Sequence, residues 1–322
     1  MGASSRRRGH ASQRRWIAPL GAALAAVSLA GCGLGAGAAP KGVSLLVTSN
    51  FGATKLLSKS KPKVSGSETV MSLLERNAKV STRYSGGFVT SIDGHAEASG
   101  GGQANDWFYY VNGLEASKGA ALTEVSEGDH VWWDLHDWSA TNHIPAIVGA
   151  FPEPFLDGLG GKKFPVRIGC DEPQARACHA ISQRLTKLGV IAGFGAVGPT
   201  LEAAETLDLL VGTWNELKSS PAAHLIETGP RKSGVYVKVV GGGKAFVLLD
   251  PEGRPTQSLA AGAGLIAATT YPDEGPVWIV TGTDQAGLMR AVEAFDAATL
   301  DGHFAVVISP AGKALSIPQT SG

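Results

Sequence analysis

The sequence predicts an α+β fold in two parts: a small β-rich domain with one helix, then an α/β layered domain with a mostly parallel sheet. Three observations carry this prediction. Between Val43 and Ser139, short runs of alternating apolar and polar residues outnumber helical patterns. From Pro165 onward, strand-like runs alternate with helix-like ones. A composition of 43% hydrophobic and 17% charged residues over 322 positions suits a globular chain long enough for about two domains. The 28 basic and 28 acidic residues balance, so charge gives no case for a nucleic-acid partner or an acidic substrate.

Residues 1–31 read as an export signal. Arg6, Arg7, Arg8, Arg14 and Arg15 make a basic start, and the apolar stretch from Ile17 to Ala30 is short of the roughly 20 residues a permanent membrane helix needs. The stretch ends in Leu29-Ala30-Gly31-Cys32. This resembles the lipobox of bacterial lipoproteins. The resemblance implies cleavage before Cys32, acylation of its thiol, and a lipid-anchored protein on the extracytoplasmic face of the cell membrane. Several acyl chains anchor stably, since each buried methylene adds about 0.8 kcal/mol. Residues 32–42 are a Gly/Ala tether. In an oxidising compartment Cys170 and Cys178 are expected to form a disulfide, with two buried thiols as the alternative. A metal pair is poorly supported there, because only His179 lies close by.

In the first domain, residues 43–139, strands are expected at VSLLVT, GGFVTSIDG, DWFYYVNG and GDHVWWDL. One helix is expected over ETVMSLLERN, with Ser67 as its N-cap. Asn112-Gly113 signals a tight turn, and SGGGQ at 99–103 a flexible loop. The outline is β-grasp-like: a mostly antiparallel sheet with a helix over it. Residues 140–163, rich in proline and glycine, read as the interdomain connection.

In the second domain, residues 164–322, PVRIGC, LDLLVG, PVWIVTG and HFAVVI read as strands, and residues 173–189, 258–270 and 283–300 as helices. GVYVKVV and KAFVLL form a hairpin around Gly241-Gly242-Gly243. Gly212-Thr213 and Gly282-Thr283 each lead from a strand into a helix, where such sheets place their ligand crevice or where threonine simply caps the helix. GFGAVG at 193–198 fits G-x-G-x-x-G formally, but Pro199 and an acidic segment follow, so it reads as a glycine loop.

The densest chemistry lies in GDHVWWDLHDW, residues 128–138, which holds three of the seven tryptophans. Strand alternation puts His130, Trp132, Asp134, His136 and Trp138 on one face, with Val131, Trp133, Leu135 and Asp137 on the other. Trp107 and Tyr109 share a face of the preceding strand. Four readings compete: a metal site of His130, Asp134 and His136; acid/base work by Asp134 or Asp137 with a histidine; an aromatic binding wall; or a core with a solvated polar face. The metal set matches no ligand motif, and no G-x-S-x-G accompanies the acid/base set.

DWFYYVNG followed by GDHVWWDLHDW, with GGFVTSIDG and the ETVMSLLE helix upstream, resembles the transcobalamin C-terminal-like domain family over about residues 43–138. The resemblance implies a non-enzymatic module, without a cofactor, that presents loops and aromatics to a ligand or partner. The expected function is binding of a small ligand, with a corrinoid such as cobalamin as the candidate, in support of uptake by a membrane transporter. The alternative is a surface interaction or adhesion module holding a protein or polymer. The expected ligand residues are Trp107, Tyr109, Asn112, Trp132, Asp134 and Trp138, with no metal site and no catalytic residues.

Overall fold

The computed structural model describes residues 39–320 apart from 85, 97, 101–102, 173–174, 199–205 and 271–274. The signal segment, Cys32 and the tether up to residue 38 lie outside the described residues. The fold is mixed α and β with mostly strands, arranged in several sheets.

The N-terminal part contains β1 (Ser44–Ser49), β2 (Thr54–Lys59), α1 (Val70–Asn77), β3 (Val80–Arg83), β4 (Phe88–Ile92) and β5 (His95–Ala96). β6 (Ala98–Gly100), β7 (Gln103–Val111), β8 (Leu114–Glu115) and β9 (His130–Asp137) follow. One sheet has the order β2-β1-β9-β7-β6, with β8 on β7, while β3, β4 and β5 form a small sheet of their own. β9 runs parallel to β1 and antiparallel to β7, so the tryptophan-rich strand lies between β1 and the aromatic strand β7. Of the expected loop at 99–103, Ser99 and Gly100 lie in β6 and Gln103 in β7, and residues 101–102 lie outside the described residues.

Helix α1 is capped by Thr69 rather than Ser67. The Thr69 hydroxyl accepts the Ser72 amide at 3.2 Å, and the Thr69 amide donates to Ser72 Oγ at 2.8 Å. Its apolar side, with Val70, Leu73 and Leu74, packs on Leu45, Val47, Val131 and Trp133. Each such buried side chain is worth about 1.5–3 kcal/mol.

The C-terminal part contains β10 (Val166–Gly169), α2 (Arg176–Lys187), β11 (Ala192–Gly195), β12 (Leu207–Thr213), and the short helices α3 (Trp214–Leu217), α4 (Pro221–Glu227) and α5 (Pro230–Ser233). It continues through β13 (Val237–Val240), β14 (Ala245–Leu249), β15 (Pro255–Leu259), β16 (Gly264–Thr270) and β17 (Pro276–Gly282). It ends with α6 (Gln285–Glu293), α7 (Ala297–Leu300), β18 (Ala305–Ile308) and β19 (Ala314–Ile317). The main sheet has the order β11-β10-β12-β17-β16-β18-β19, and β13-β14-β15 form a separate arm. β11, β10, β12 and β17 are mutually parallel, but β16, β18 and β19 add antiparallel pairings. The sheet is therefore mixed rather than mostly parallel.

The difference arises at residues 258–270, expected as a helix but built as the end of β15, a turn and β16. β16 lies between β17 and β18 with all but its last residue buried. A strand covered on both faces has an uninterrupted apolar run that periodicity cannot tell from a buried helix. The expected helix 283–300 is divided at Asp296, whose carboxylate accepts the Thr299 amide at 2.9 Å and starts α7. Asp284, not Thr283, caps α6 by accepting the Gly287 amide at 2.8 Å. Thr213 does cap α3, with Glu216 reaching back to its amide at 2.6 Å. Cys170 and Cys178 form a disulfide that ties the end of β10 to the first turn of α2.

The connection at 140–163 is no loose spacer. Ile147 and Val148 are fully buried, and Phe151 and Phe155 pack on Trp278 and Phe295. The second face of the first sheet, with Leu46, Tyr110 and Trp132, shares one core with Trp214, Tyr236 and Phe304 from the C-terminal part. The described residues belong to one compact unit.

Candidate functional site

Alternation along β9 holds, but both faces are covered. Val131 and Trp133 face the α1 core, and Trp132 faces the shared core. Of the expected ligand residues, Trp132 and Asp134 are fully buried, and Trp107 lies in the α1 core. Asn112 is also fully buried and works as a clip: its side chain donates to Asp129 at 2.9 Å and to the Gly158 carbonyl at 2.7 Å, and accepts the His130 amide at 2.8 Å. Tyr109 is half-buried, stacked on Trp133 at 4.8 Å, with its hydroxyl donating to the Lys118 carbonyl at 2.5 Å. Trp138 alone of the six is exposed, and its indole bonds Asp106. The aromatic wall is thus mostly interior: α1 covers the face with Trp107, Tyr109 and Trp133, and the C-terminal part covers the opposite face with Trp132.

Asp134 is the hub of that interior. Its carboxylate accepts the Phe51 amide at 3.0 Å, the Gly52 amide at 2.9 Å, His136 Nδ1 at 2.8 Å and the Thr48 hydroxyl. Thr48 in turn accepts the Trp132 indole at 2.6 Å. The arrangement holds the turn after β1, where Asn50 and Phe51 take positive φ values of 59° and 57°. It also fixes the His136 ring, which stacks between Phe51 at 4.5 Å and Phe108 at 4.4 Å. With Nδ1 turned to the carboxylate, Nδ1 donates the proton of this bond.

At the end of this network a cleft of about 710 Å³ opens between the first sheet and the β14–β15 arm. Ser49, Asn50, Asn105, His136 and Asp137 line one side; Asp250, Glu252, Arg254 and Thr256 line the other; Gln319 and Thr320 close it. Arg254 donates to Asp250 at 2.7 Å and to Glu252 at 2.6 Å. Burial tends to raise the Asp250 carboxyl, but hydrogen bonds from the Arg254 amide and guanidinium outweigh it and hold Asp250 below the usual carboxylate range. Asp137 receives the Ser139 amide at 2.7 Å. Tyr236, packed edge-on against Phe51, is 1% exposed, and its hydroxyl has no hydrogen-bond partner among the described residues. Burial pushes its phenol well up, reinforced by the charges of Asp137 and Glu252.

The sequence-level metal set does not assemble. His130 bonds Ser44 at 2.8 Å, and burial pushes it down to about 4, so it is neutral. Among the described residues no group of three His, Cys, Asp or Glu is placed to hold a metal. Nor does a described hydroxyl or thiol hydrogen-bond His136 as a nucleophile would; its bonded partner is Asp134. Beside Gly212, at the carboxyl ends of the parallel strands, a smaller cavity of about 240 Å³ is lined by Asp171, Glu172 and Glu216. There Glu216 is engaged in the α3 cap and Cys178 in the disulfide.

The cleft's far wall was not anticipated from the sequence. Asp250-Pro251-Glu252-Gly253-Arg254 carries turn chemistry and charge, the one local signal available, but its meeting with Asp137 and Asn50 is a tertiary event.

A comparison with curated proteins finds no match. Residues 67–137, from the entry to α1 through the end of β9, match the model of a family described as a domain of unknown function (DUF4430).

Proposed function

We propose that this chain is an extracytoplasmic lipoprotein, anchored through acylated Cys32, whose folded part binds a small polar ligand without chemical conversion, in support of uptake by a membrane transporter. The cleft carries the ligand reading. Its volume lies within the roughly 300–1,000 Å³ of small-molecule sites, and its polar groups converge from several segments on a wall held rigid by Asp134. The anchor rests on the basic start, the short apolar stretch and Leu29-Ala30-Gly31-Cys32.

DUF4430 is associated with transcobalamin-like C-terminal domains, which supports the resemblance and the binding role it implies. Parallel β1 and β9 under one helix support the β-grasp-like outline. The rings expected to stack on a flat corrinoid, Trp107 and Trp132, are interior, and the cleft is polar. A polar ligand therefore fits the cleft better than cobalamin. The second reading, docking of a surface protein, is favoured by exposed Leu188, Ile191 and Phe194 around β11, and crosslinking would recover that partner.

Two experiments test the proposal. The Cys32→Ala protein is expected to move from the membrane fraction to the soluble fraction; retention in the membrane overturns the anchor. Calorimetric titration with sugars, amino acids, amines and cobalamin is expected to show saturable binding of a polar probe. Thr256→Trp, which fills the cleft from β15, should abolish that binding. Binding of cobalamin alone, or binding that survives Thr256→Trp, overturns the cleft as the site.

A further inference from the structure

An anchor at Cys32, the reading proposed above on which this inference rests, limits how far the folded part can stand from the bilayer. Lys41 comes nine residues after Cys32, so even a fully extended chain holds it within about 32 Å of the acylated residue. A folded body of this length is roughly 50 Å across, so the tether is too short to lead around it. The side on which the tether enters is the side nearest the bilayer.

That side carries exposed leucines. The Gly128 amide donates to the Lys41 carbonyl at 2.8 Å, and the Asp129 amide to the Ser126 carbonyl at 3.3 Å. Gly161 lies against Ser126, where a Cβ would come within 3.4 Å of the hydroxyl. Ser126, Lys118, Leu122, Leu159 and Gly160 line a cavity of about 420 Å³ at this point. Leu122 is 74% exposed and Leu159 40%. Lys41, Lys118, Lys162 and Lys163 are exposed on the same side, with Glu124 and Glu127. Asp157 is paired with Lys163 at 3.4 Å, and Glu115 with His143 at 2.6 Å. The charges come close to balance, so the leucines and not a net charge single this face out.

The polar cleft lies at the other end of the same sheet. Along β7 and β9, Val111 pairs with Val131 and Asn105 with Asp137. Val111 lines the leucine-edged cavity, whereas Asn105 and Asp137 line the cleft. An eight-residue strand such as β9 spans roughly 25 Å.

We infer that the leucine-edged face is a membrane-docking surface. Leu122 and Leu159 enter the headgroup boundary of the bilayer, and the lysine stems lie along it with their ammonium groups in water. Two leucines hold a free protein to lipid only weakly, but the anchor makes the contact intramolecular, and a weak contact then suffices. Docked in this way, the protein keeps the cleft a strand's length away from the lipid, open to ligand.

The test uses the acylated protein in vesicles of phosphatidylcholine and phosphatidylglycerol, with one environment-sensitive dye on Leu122→Cys or, at the cleft, on Thr256→Cys. Spin-labelled acyl chains are expected to quench the dye at 122 severalfold more than at 256, and aqueous iodide the reverse. Adding Leu159→Asp should weaken the lipid quenching at 122 severalfold while the melting temperature stays unchanged, because the replaced side chain is exposed. Protein that does not float with the vesicles overturns the anchor, and the docking face with it. Protein that floats while iodide quenches both positions alike overturns the docking face and leaves the anchor standing. Shielding of position 122 without vesicles that grows with protein concentration overturns the lipid assignment in favour of a second copy of the chain.

Discussion

Asp134→Ala is expected to destabilise the protein by about 3–5 kcal/mol, the range for removing one partner from a buried charged hydrogen-bond network. The residue is fully buried, and its carboxylate serves the Phe51 and Gly52 amides, the Thr48 hydroxyl and His136 Nδ1. Alanine leaves the Phe51 and Gly52 amides and His136 Nδ1 without this acceptor, while the Thr48 hydroxyl keeps only the Trp133 carbonyl at 3.4 Å. Asp134→Asn keeps the shape but turns an NH₂ toward some of these donors, so a smaller loss of about 1–3 kcal/mol is expected. Urea unfolding measures both, and the melting temperature of the alanine variant should fall on the order of 10 °C. A loss below about 1 kcal/mol for Asp134→Ala would show that the turn after β1 does not depend on this carboxylate.

Glu153→Gln is expected to change how stability depends on pH. Glu153 is 6% exposed and accepts the Asp157 amide at 2.8 Å. Burial, then the charges of Asp157 and Asp129, push its carboxyl up from 4.5 to about 7. Because the folded value lies above the unfolded one, the folded state binds more protons between these values. The resulting stability is full below about pH 4.5 and is lost as pH rises through 7. At about 1.4 kcal/mol per pH unit the loss between these values comes to about 3.5 kcal/mol.

His130 works in the opposite direction over much of the same window. Burial lowers it from 6.5 to about 4, so its stabilising contribution is present above 6.5 and lost as pH falls through 4. The two effects partly cancel in the native protein, and the difference between native and Glu153→Gln isolates the carboxyl. That difference is expected to be near zero at about pH 4.5 and to favour Glu153→Gln by about 3 kcal/mol at about pH 8. A difference that stays flat between these limits would falsify the assignment.

Much of the first sheet was legible in the sequence because its signals are local. The period-2 alternation of HVWWDLHD separates Val131 and Trp133 from Trp132 and Asp134, and β9 separates them in the same way. The hairpin around Gly241-Gly242-Gly243 was legible because its three glycines all take the positive φ that the turn requires, 64°, 67° and 95°. Residues 258–270 were misread because a strand buried on both faces loses its alternation. Ser67 looked like a cap because hydroxyl residues stand at both 67 and 69, and only backbone geometry chooses between them. The second hairpin strand β2 and the terminal strand β19 were missed because their patterns are short and half-exposed.

By itself the sequence determined strands β1, β4, β7 and β9 and helix α1 of the first region, the facing of β9, the hairpin and the pairing of Cys170 with Cys178. Each depends on neighbours within a few residues, or on cysteine arithmetic once export is assumed. Only the tertiary structure decided which aromatics are interior and where a ligand has room. Trp132 is closed off by Phe304 and Tyr110 by the same ring, and His136 meets Asp250 and Gln319 across the cleft. Burial of a face depends on what long-range packing lays over it, and a pattern confined to one strand carries no information about that partner.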